Sequence, residues 1–164
     1  MIQNQTENRQ WLLAARPHGA PIGSNFSYEK TPIPTPEEGE VLLRTVFMSL
    51  DPYMRGRMND GKSYAEPVAL GEVMVGGCVC RVVQSMHSDY QVGDWVVAYT
   101  GWQDYSISDG TQLMKLDPSL ANPSYALGVL GMPGLTAYRG CWISARLKRV
   151  KPWWWQQLLV RWAV

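Results

Sequence analysis

Apolar residues come in short runs along the first 120 positions, and turn-forming residues separate them. Runs at 11–15, 26–29, 41–49, 73–83, 94–99, 105–108 and 113–116 have the length and the β-branched or aromatic content of strands. Between them stand Arg16-Pro17-His18-Gly19, Thr31-Pro32-Ile33-Pro34-Thr35-Pro36, Glu38-Gly39-Glu40, Asn59-Asp60-Gly61 and Gln91-Val92-Gly93-Asp94. Proline removes a ladder donor and glycine admits positive φ, so these segments read as turns. Many short strands at close spacing predict a β-barrel or sandwich. The pattern changes at Asn122-Pro123-Ser124, where Asn122 or Ser124 can accept from the free amides of a following helix. Residues 125–140 carry Ala126, Leu127, Leu130, Leu135 and Ala137, and Pro133-Gly134 interrupts them, so two short helices are expected there.

Composition narrows the class. A chain of 164 residues, 46% hydrophobic, 18% charged and carrying a formal charge of +1, is long enough for one folded domain. It is too apolar and too neutral for a disordered or nucleic-acid-coating chain. The longest early apolar run, 11–15, is far short of a signal peptide or a spanning helix, so the cytoplasm is the expected location, with no nucleic-acid or membrane partner. Cys78 and Cys80 share one side of a strand, and Cys141 stands apart. A lone C-x-C is neither a zinc ligand set nor a disulfide framework, and buried free thiols are the expectation. His18 and His87 fall in turn-like segments and read as exposed loop residues.

Three segments stand out: Leu50-Asp51-Pro52-Tyr53-Met54-Arg55-Gly56-Arg57-Met58, Leu70-Gly71-Glu72-Val73-Met74-Val75-Gly76-Gly77 and Gly131-Met132-Pro133-Gly134-Leu135-Thr136-Ala137-Tyr138. With Val92-Gly93-Asp94-Trp95-Val96-Val97 they resemble the medium-chain dehydrogenase/reductase superfamily over about residues 8–140. Within it the chain is most similar to the zinc-independent double-bond reductases, the group of prostaglandin and leukotriene reductases and bacterial NADPH-dependent curcumin reductases. The resemblance implies a mainly β fold, a GroES-like β-barrel over 8–122, with short helices at its C-terminal edge. Residues 123–140 would then be the helical start of a Rossmann cofactor domain that is otherwise absent from these 164 residues. It also implies hydride transfer from NADPH to the β-carbon of an α,β-unsaturated ketone or aldehyde and, often, a homodimer.

Carried over by motif, Tyr53 would line the substrate pocket and Tyr64 would sit on a loop beside the substrate. Pro52 would pack against the cofactor, and Met132 and Thr136 would approach the nicotinamide or its ribose. Each residue also has a plainer reading: Tyr53 as a half-buried packing residue, Met132 as core, and Arg55 and Arg57 as solvated or salt-bridged cations rather than phosphate ligands. No residue is assigned a catalytic proton. Zinc-dependent relatives need a thiolate near Asp51-Pro52-Tyr53 and a histidine beside Glu72, but no Cys occurs between 1 and 77 and Gly71 precedes Glu72, so no zinc is expected. Gly71, Gly76 and Gly77 do not form the G-x-G-x-x-G cradle of a dinucleotide site, and Gly76-Gly77 reads as a strand bend. NADPH is accordingly the cofactor of the intact family, and the chain alone is not expected to bind it.

Residues 141–164 differ from the rest. Residues 1–140 hold ten Lys+Arg against fourteen acids, a net of −4, whereas 141–164 hold five basic residues and no acid. Five of the eight tryptophans and none of the fifteen glycines are in that tail. Tryptophan has one codon, TGG, and reading Trp153-Trp154-Trp155-Gln156 one base earlier yields Val-Val-Ala. The same shift forces Leu and Asp around Trp142 and Gly at Trp162-Ala163, where the family has its L-L-D and its glycine turn. The tail therefore reads as an out-of-frame translation of the cofactor domain, and the chain as a truncated reductase of little activity. The alternative is a standalone barrel whose Trp155, Leu158, Leu159 and Trp162 form one apolar face of a basic helix for a membrane or a partner.

Overall fold

Polar residues extend the first strand rather than delimit it. In the computed structural model, which describes residues 6–61, 65–119 and 122–144, β1 (Glu7–Leu13) pairs antiparallel with β2 (Phe26–Pro32). The expected strand began at Trp11, but Asn8 is only 2% exposed and belongs inside. Its Oδ1 accepts from the Tyr105 N–H at 2.8 Å and its Nδ2 donates to the Tyr105 carbonyl at 2.9 Å. One amide side chain thus stands in for a neighbouring strand's peptide group.

The other strands are β3 (Val41–Met48), β4 (Cys78–Ser85), β5 (Trp95–Ala98), β6 (Tyr105–Ser108) and β7 (Met114–Lys115). They form an antiparallel sheet in the order β6-β3-β4-β5-β7, with register shifts in β3 between Leu42 and Leu43 and between Thr45 and Phe47. Bulges of this kind curl a sheet toward closure. β1 meets the backbone on either side of it through Leu12–Val73 and Gln10–Gln103 bridges. Trp11 N donates to Trp102 O and Met74 N to Trp11 O, each at 2.9 Å.

The run 73–83 is not one strand. Val73 and Met74 pair with β1, Cys78 starts β4, and Gly76-Gly77 lies where the chain changes partners. Gly101 crosses this segment with φ +77°, and a Cβ there would stand 2.4 Å from the Met74 carbonyl oxygen. Only glycine fits that crossing.

Two buried clusters hold the architecture. Val41, Leu43, Cys78, Cys80, Val82, Val96 and Ala98 form one, with Tyr90 and Leu113 packed against it. Leu13, Met54, Met58, Val68 and Met74 form the other, flanked by Phe26, Tyr53, Val75 and Trp102. Each large apolar side chain buried this way contributes about 1.5–3 kcal/mol. The exposed Arg9–Asp104, Lys30–Glu7 and Lys115–Asp94 ion pairs are worth about 0–1 kcal/mol each, so packing dominates.

Cys78 and Cys80 are buried free thiols, as expected, and Cys141 is half-buried. His18 is exposed, but His87 is half-buried. Its Nδ1 accepts from the Asp89 N–H at 3.0 Å and its ring meets Tyr90 edge-on at 5.1 Å.

One helix escaped the periodicity altogether: α1 (Tyr53–Arg57), five residues long. At the other end, a 3-10 turn spans Pro123–Leu127 and α2 spans Met132–Tyr138. There are two helical pieces, but Pro133-Gly134 opens the second rather than dividing it from the first. Proline in the first turn lacks only an N–H that would have had no intrahelical partner. Two compact units divide between Leu127 and Gly128. Of the tail, only 141–144 are among the described residues, as an irregular helical extension of α2. The readings made for 145–164, the amphipathic face included, lie outside them. No helix among the described residues is long and apolar enough to cross a membrane.

Candidate functional site

Pro52 caps α1 with φ −56° and ψ −30°, which starts the helix at Tyr53. The helix then turns Met54 and Met58 inward, four residues apart and each 3% exposed, against Leu13, Val68 and Met74. Tyr53 is left half-buried at the rim of that cluster, and Pro52 is exposed beside it. Both ends of this short element are tied down. Arg55 donates to the carbonyls of Gly19 (2.9 Å) and Pro17 (3.0 Å) and to Asn59 Oδ1 (2.6 Å). Arg16 Nη1 donates to the carbonyls of Met58 (2.9 Å) and Val68 (2.6 Å) past the helix C-terminus. Arg55 stays part-exposed and makes no ion pair among the described residues, and its three hydrogen bonds clamp the 17–19 loop to α1.

No hydrogen bond among the described residues occupies the Tyr53 hydroxyl. Burial, then the Asp51 carboxylate and the Tyr99 hydroxyl, hold its phenol above the ordinary tyrosine range, while Arg57 pulls the other way. Each cause is physical: a phenolate loses hydration there and faces negative neighbours. Tyr53 is therefore a neutral O–H donor throughout the physiological range.

The floor beside α1 is made of glycine. A Cβ on Gly76 would meet Met54 Cε and Trp102 Cδ1, both at 3.2 Å, and one on Gly77 would touch Tyr99 Cε1 at 3.7 Å and Leu127 Cδ2 at 3.8 Å. Trp102 stacks on Phe26 at 5.4 Å, and its Nε1 is buried without a partner. Tyr99, 72% exposed, follows directly on β5 and completes this side. Sequence reasoning missed Tyr99. Its one signal was its place at the end of a strand whose partner in the ladder, Cys78, follows the glycine pair.

Tyr64 lies outside the described residues. Met132 (51% exposed) and Thr136 belong to the second unit, one turn apart on α2, and the Thr136 hydroxyl donates to the Met132 carbonyl at 2.8 Å. Met132 is thus not a core residue of its own unit. A cavity of about 440 Å³, bounded by 98–100, Gln103, 106–109 and 111–113, includes Tyr99 in its lining but not Tyr53. Among the described residues no group of three or more His, Cys, Asp or Glu is placed to hold a metal ion.

The family description "N-terminal domain of oxidoreductase" matches residues 9–116. The chain belongs to this family, in the medium-chain dehydrogenase/reductase group. The mainly β unit is its GroES-like domain. Over 140 residues the chain is 62% identical to the NADPH-dependent curcumin reductase of Escherichia coli (strain K12), covering 85% of this chain and 41% of that protein. Over 143 residues it is 43% identical to prostaglandin reductase 1 of Rattus norvegicus, covering 85% and 40%. Among solved structures, CurA from Vibrio vulnificus in complex with NADPH superposes with a TM-score of 0.77 at 61% identity, over 82% of this chain and 40% of that one. The chain therefore spans about two fifths of the length of the relatives it matches.

Proposed function

We propose that this domain supplies the carbonyl-binding half of an NADPH-dependent, zinc-independent cytoplasmic reductase that saturates the C=C bond of α,β-unsaturated ketones and aldehydes. The observation that carries this reading is the Tyr53 phenol, half-buried, without a partner and held neutral at the head of α1. When bound, NADPH supplies the hydride that adds to the β-carbon. As that bond forms, the C=C electrons move onto the carbonyl oxygen, and the enolate then takes a proton at its α-carbon. Tyr53 donates a hydrogen bond to the oxygen on which charge accumulates, and a preorganised donor stabilises that charge more than it stabilises the neutral enone. Pro52 stands next to Tyr53 in the motif, Tyr64 is assigned to the substrate by the family resemblance, and the bare backbone of Gly76 and Gly77 leaves room for a flat conjugated system.

For the cofactor, Pro52, Met132 and Thr136 are assigned to the nicotinamide end by motif alone. Thr136 Oγ1 has spent its proton on the helix backbone and retains acceptor capacity. Its residues contain no G-x-G-x-x-G turn for the pyrophosphate. The 164-residue chain is accordingly expected to bind an enone weakly, NADPH hardly at all, and to turn over little. Residues 141–164 are read as out-of-frame, which resequencing the gene around Gly140 tests.

The functional test is a pair of fluorescence titrations on the purified chain. An aryl enone should quench tryptophan emission saturably, and Tyr53→Phe should weaken that binding several-fold. Equal binding by Tyr53→Phe, or micromolar NADPH affinity in the 164-residue chain, would refute this account.

A further inference from the structure

Of the six arginines in the first unit, four have a visible structural role, and of the other two Arg57 is the one on α1. Arg9 pairs with Asp104, Arg16 and Arg55 brace α1, and Arg81 lies 5.5 Å over the Trp95 ring. Arg57 sits half-buried on α1, four residues from Tyr53 and hence on the same helix face. Its carbonyl accepts from the Val68 N–H at 2.8 Å, but its Nε is buried with no hydrogen-bond partner. The ion pairs among the described residues leave it without a carboxylate. A guanidinium partly withdrawn from water, with an unmet Nε donor, carries a free-energy cost that no hydrogen bond among the described residues offsets.

We propose that Arg57 is a positioning residue for the carbonyl site, its fixed positive charge acting through Tyr53 on the oxygen where enolate charge develops. This rests on the reading of Tyr53 given above and goes beyond it by assigning the cation. The groups facing Tyr53 are Asp51 just before its helix, Arg57 on the helix, Tyr99 after β5 and Cys78 at the start of β4. Arg57 is the only cation in that set, opposed by Asp51. A phenol that must give more of its proton to an enolate than to a ketone gains from a nearby positive charge, which favours negative charge on either oxygen.

The experiment uses the 164-residue chain with its tyrosine rings labelled at the phenolic carbon, so that each hydroxyl titration is read by NMR and Tyr53→Phe identifies the signal. Replacing Arg57 by Gln should raise the Tyr53 titration midpoint by about half to one pH unit, the size expected for a unit charge at this separation in a partly solvated site. Arg57→Lys should restore most of that shift, and the Tyr105 midpoint should not move in either variant. An unchanged Tyr53 midpoint in Arg57→Gln, failure of Lys to rescue it, or an equal movement of Tyr105 would overturn the proposal.

A second arm separates this inference from the reading beneath it. Substituted phenols of graded acidity, which bind as phenolates and mimic an enolate oxygen, should bind the wild-type chain with a preference that falls at least threefold in Arg57→Gln. If no phenol binds the wild-type chain while the Tyr53 shift stands, the carbonyl-site reading fails and the Arg57–Tyr53 pair survives. If phenols bind equally to both chains, the role assigned to Arg57 fails.

Discussion

Replacing Asn8 by Ala isolates one side chain on which the placement of β6 depends. Asn8 exchanges two hydrogen bonds with the peptide group of Tyr105, at 2.8 and 2.9 Å, in a position 2% exposed. Truncation leaves a buried N–H and a buried C=O without partners, at about 1–3 kcal/mol each, so a loss of roughly 2–5 kcal/mol is expected. That is a large part of a stability of about 5–15 kcal/mol. Urea unfolding followed by tryptophan fluorescence measures it, and with a slope of about 2 kcal/mol/M the midpoint should fall by roughly 1–2.5 M. Gln10→Ala is the control. Its Nε2 donates to Gln103 Oε1 at 2.8 Å, but the pair is only part-buried and water can replace it, so its loss should stay below about 1 kcal/mol. A loss under about 0.5 kcal/mol for Asn8→Ala, or one no larger than the control's, would refute the reasoning and show that water reaches the Tyr105 peptide.

Three further outcomes are expected. Gly101→Ala combines positive φ with a Cβ 2.4 Å from the Met74 carbonyl oxygen, so it should cost several kcal/mol or abolish soluble expression, whereas Gly19→Ala, with open space around it, should cost only about 1–2 kcal/mol from φ alone. Arg55→Lys should behave nearly as badly as Arg55→Ala, lowering thermal stability by a few degrees and speeding amide exchange in α1. One ammonium cannot reach the Pro17, Gly19 and Asn59 acceptors that the planar fork spans. The Gln91 N–H, then Lys115, hold the Asp94 carboxyl below its ordinary value. A folded-state value below the unfolded one gives stability that is present above about pH 4 and is lost as pH falls through the lower folded value. Asp94→Asn should flatten that part of an acid-unfolding curve and lower neutral stability by the same small increment.

The barrel was legible because its determinants are local. Turns such as Gln91-Val92-Gly93-Asp94 announce themselves through glycine at φ +99° and an Asp that accepts from the Gln91 N–H at 2.9 Å, and the apolar runs between them reach strand length on their own. The proposed site was legible only as a motif. Tyr53 was found through the residues around it, but that Tyr99 and a glycine floor stand beside it depends on β4 and β5 pairing Cys78 with Ala98 across many residues. The two arginines of the same motif look alike in sequence. Arg55 finds three acceptors, and Arg57 finds none for its Nε, because the 17–19 loop returns to one side of α1 only.

By itself, the sequence determined the class of the fold, the strand-bearing segments and the family, and it pointed to the phenol proposed for the site, since alternation, turn chemistry and motif spacing all act over a few residues. Tertiary structure alone decided that Glu7 to Gln10 are strand, that Tyr53 to Arg57 are helix, and that 73–83 changes partners midway. In each of these the local propensity is weak, and contacts from distant segments outweigh it: Tyr105 at Asn8, the Leu13–Met74 cluster beneath Met54 and Met58, and Trp11 and Trp102 around Met74.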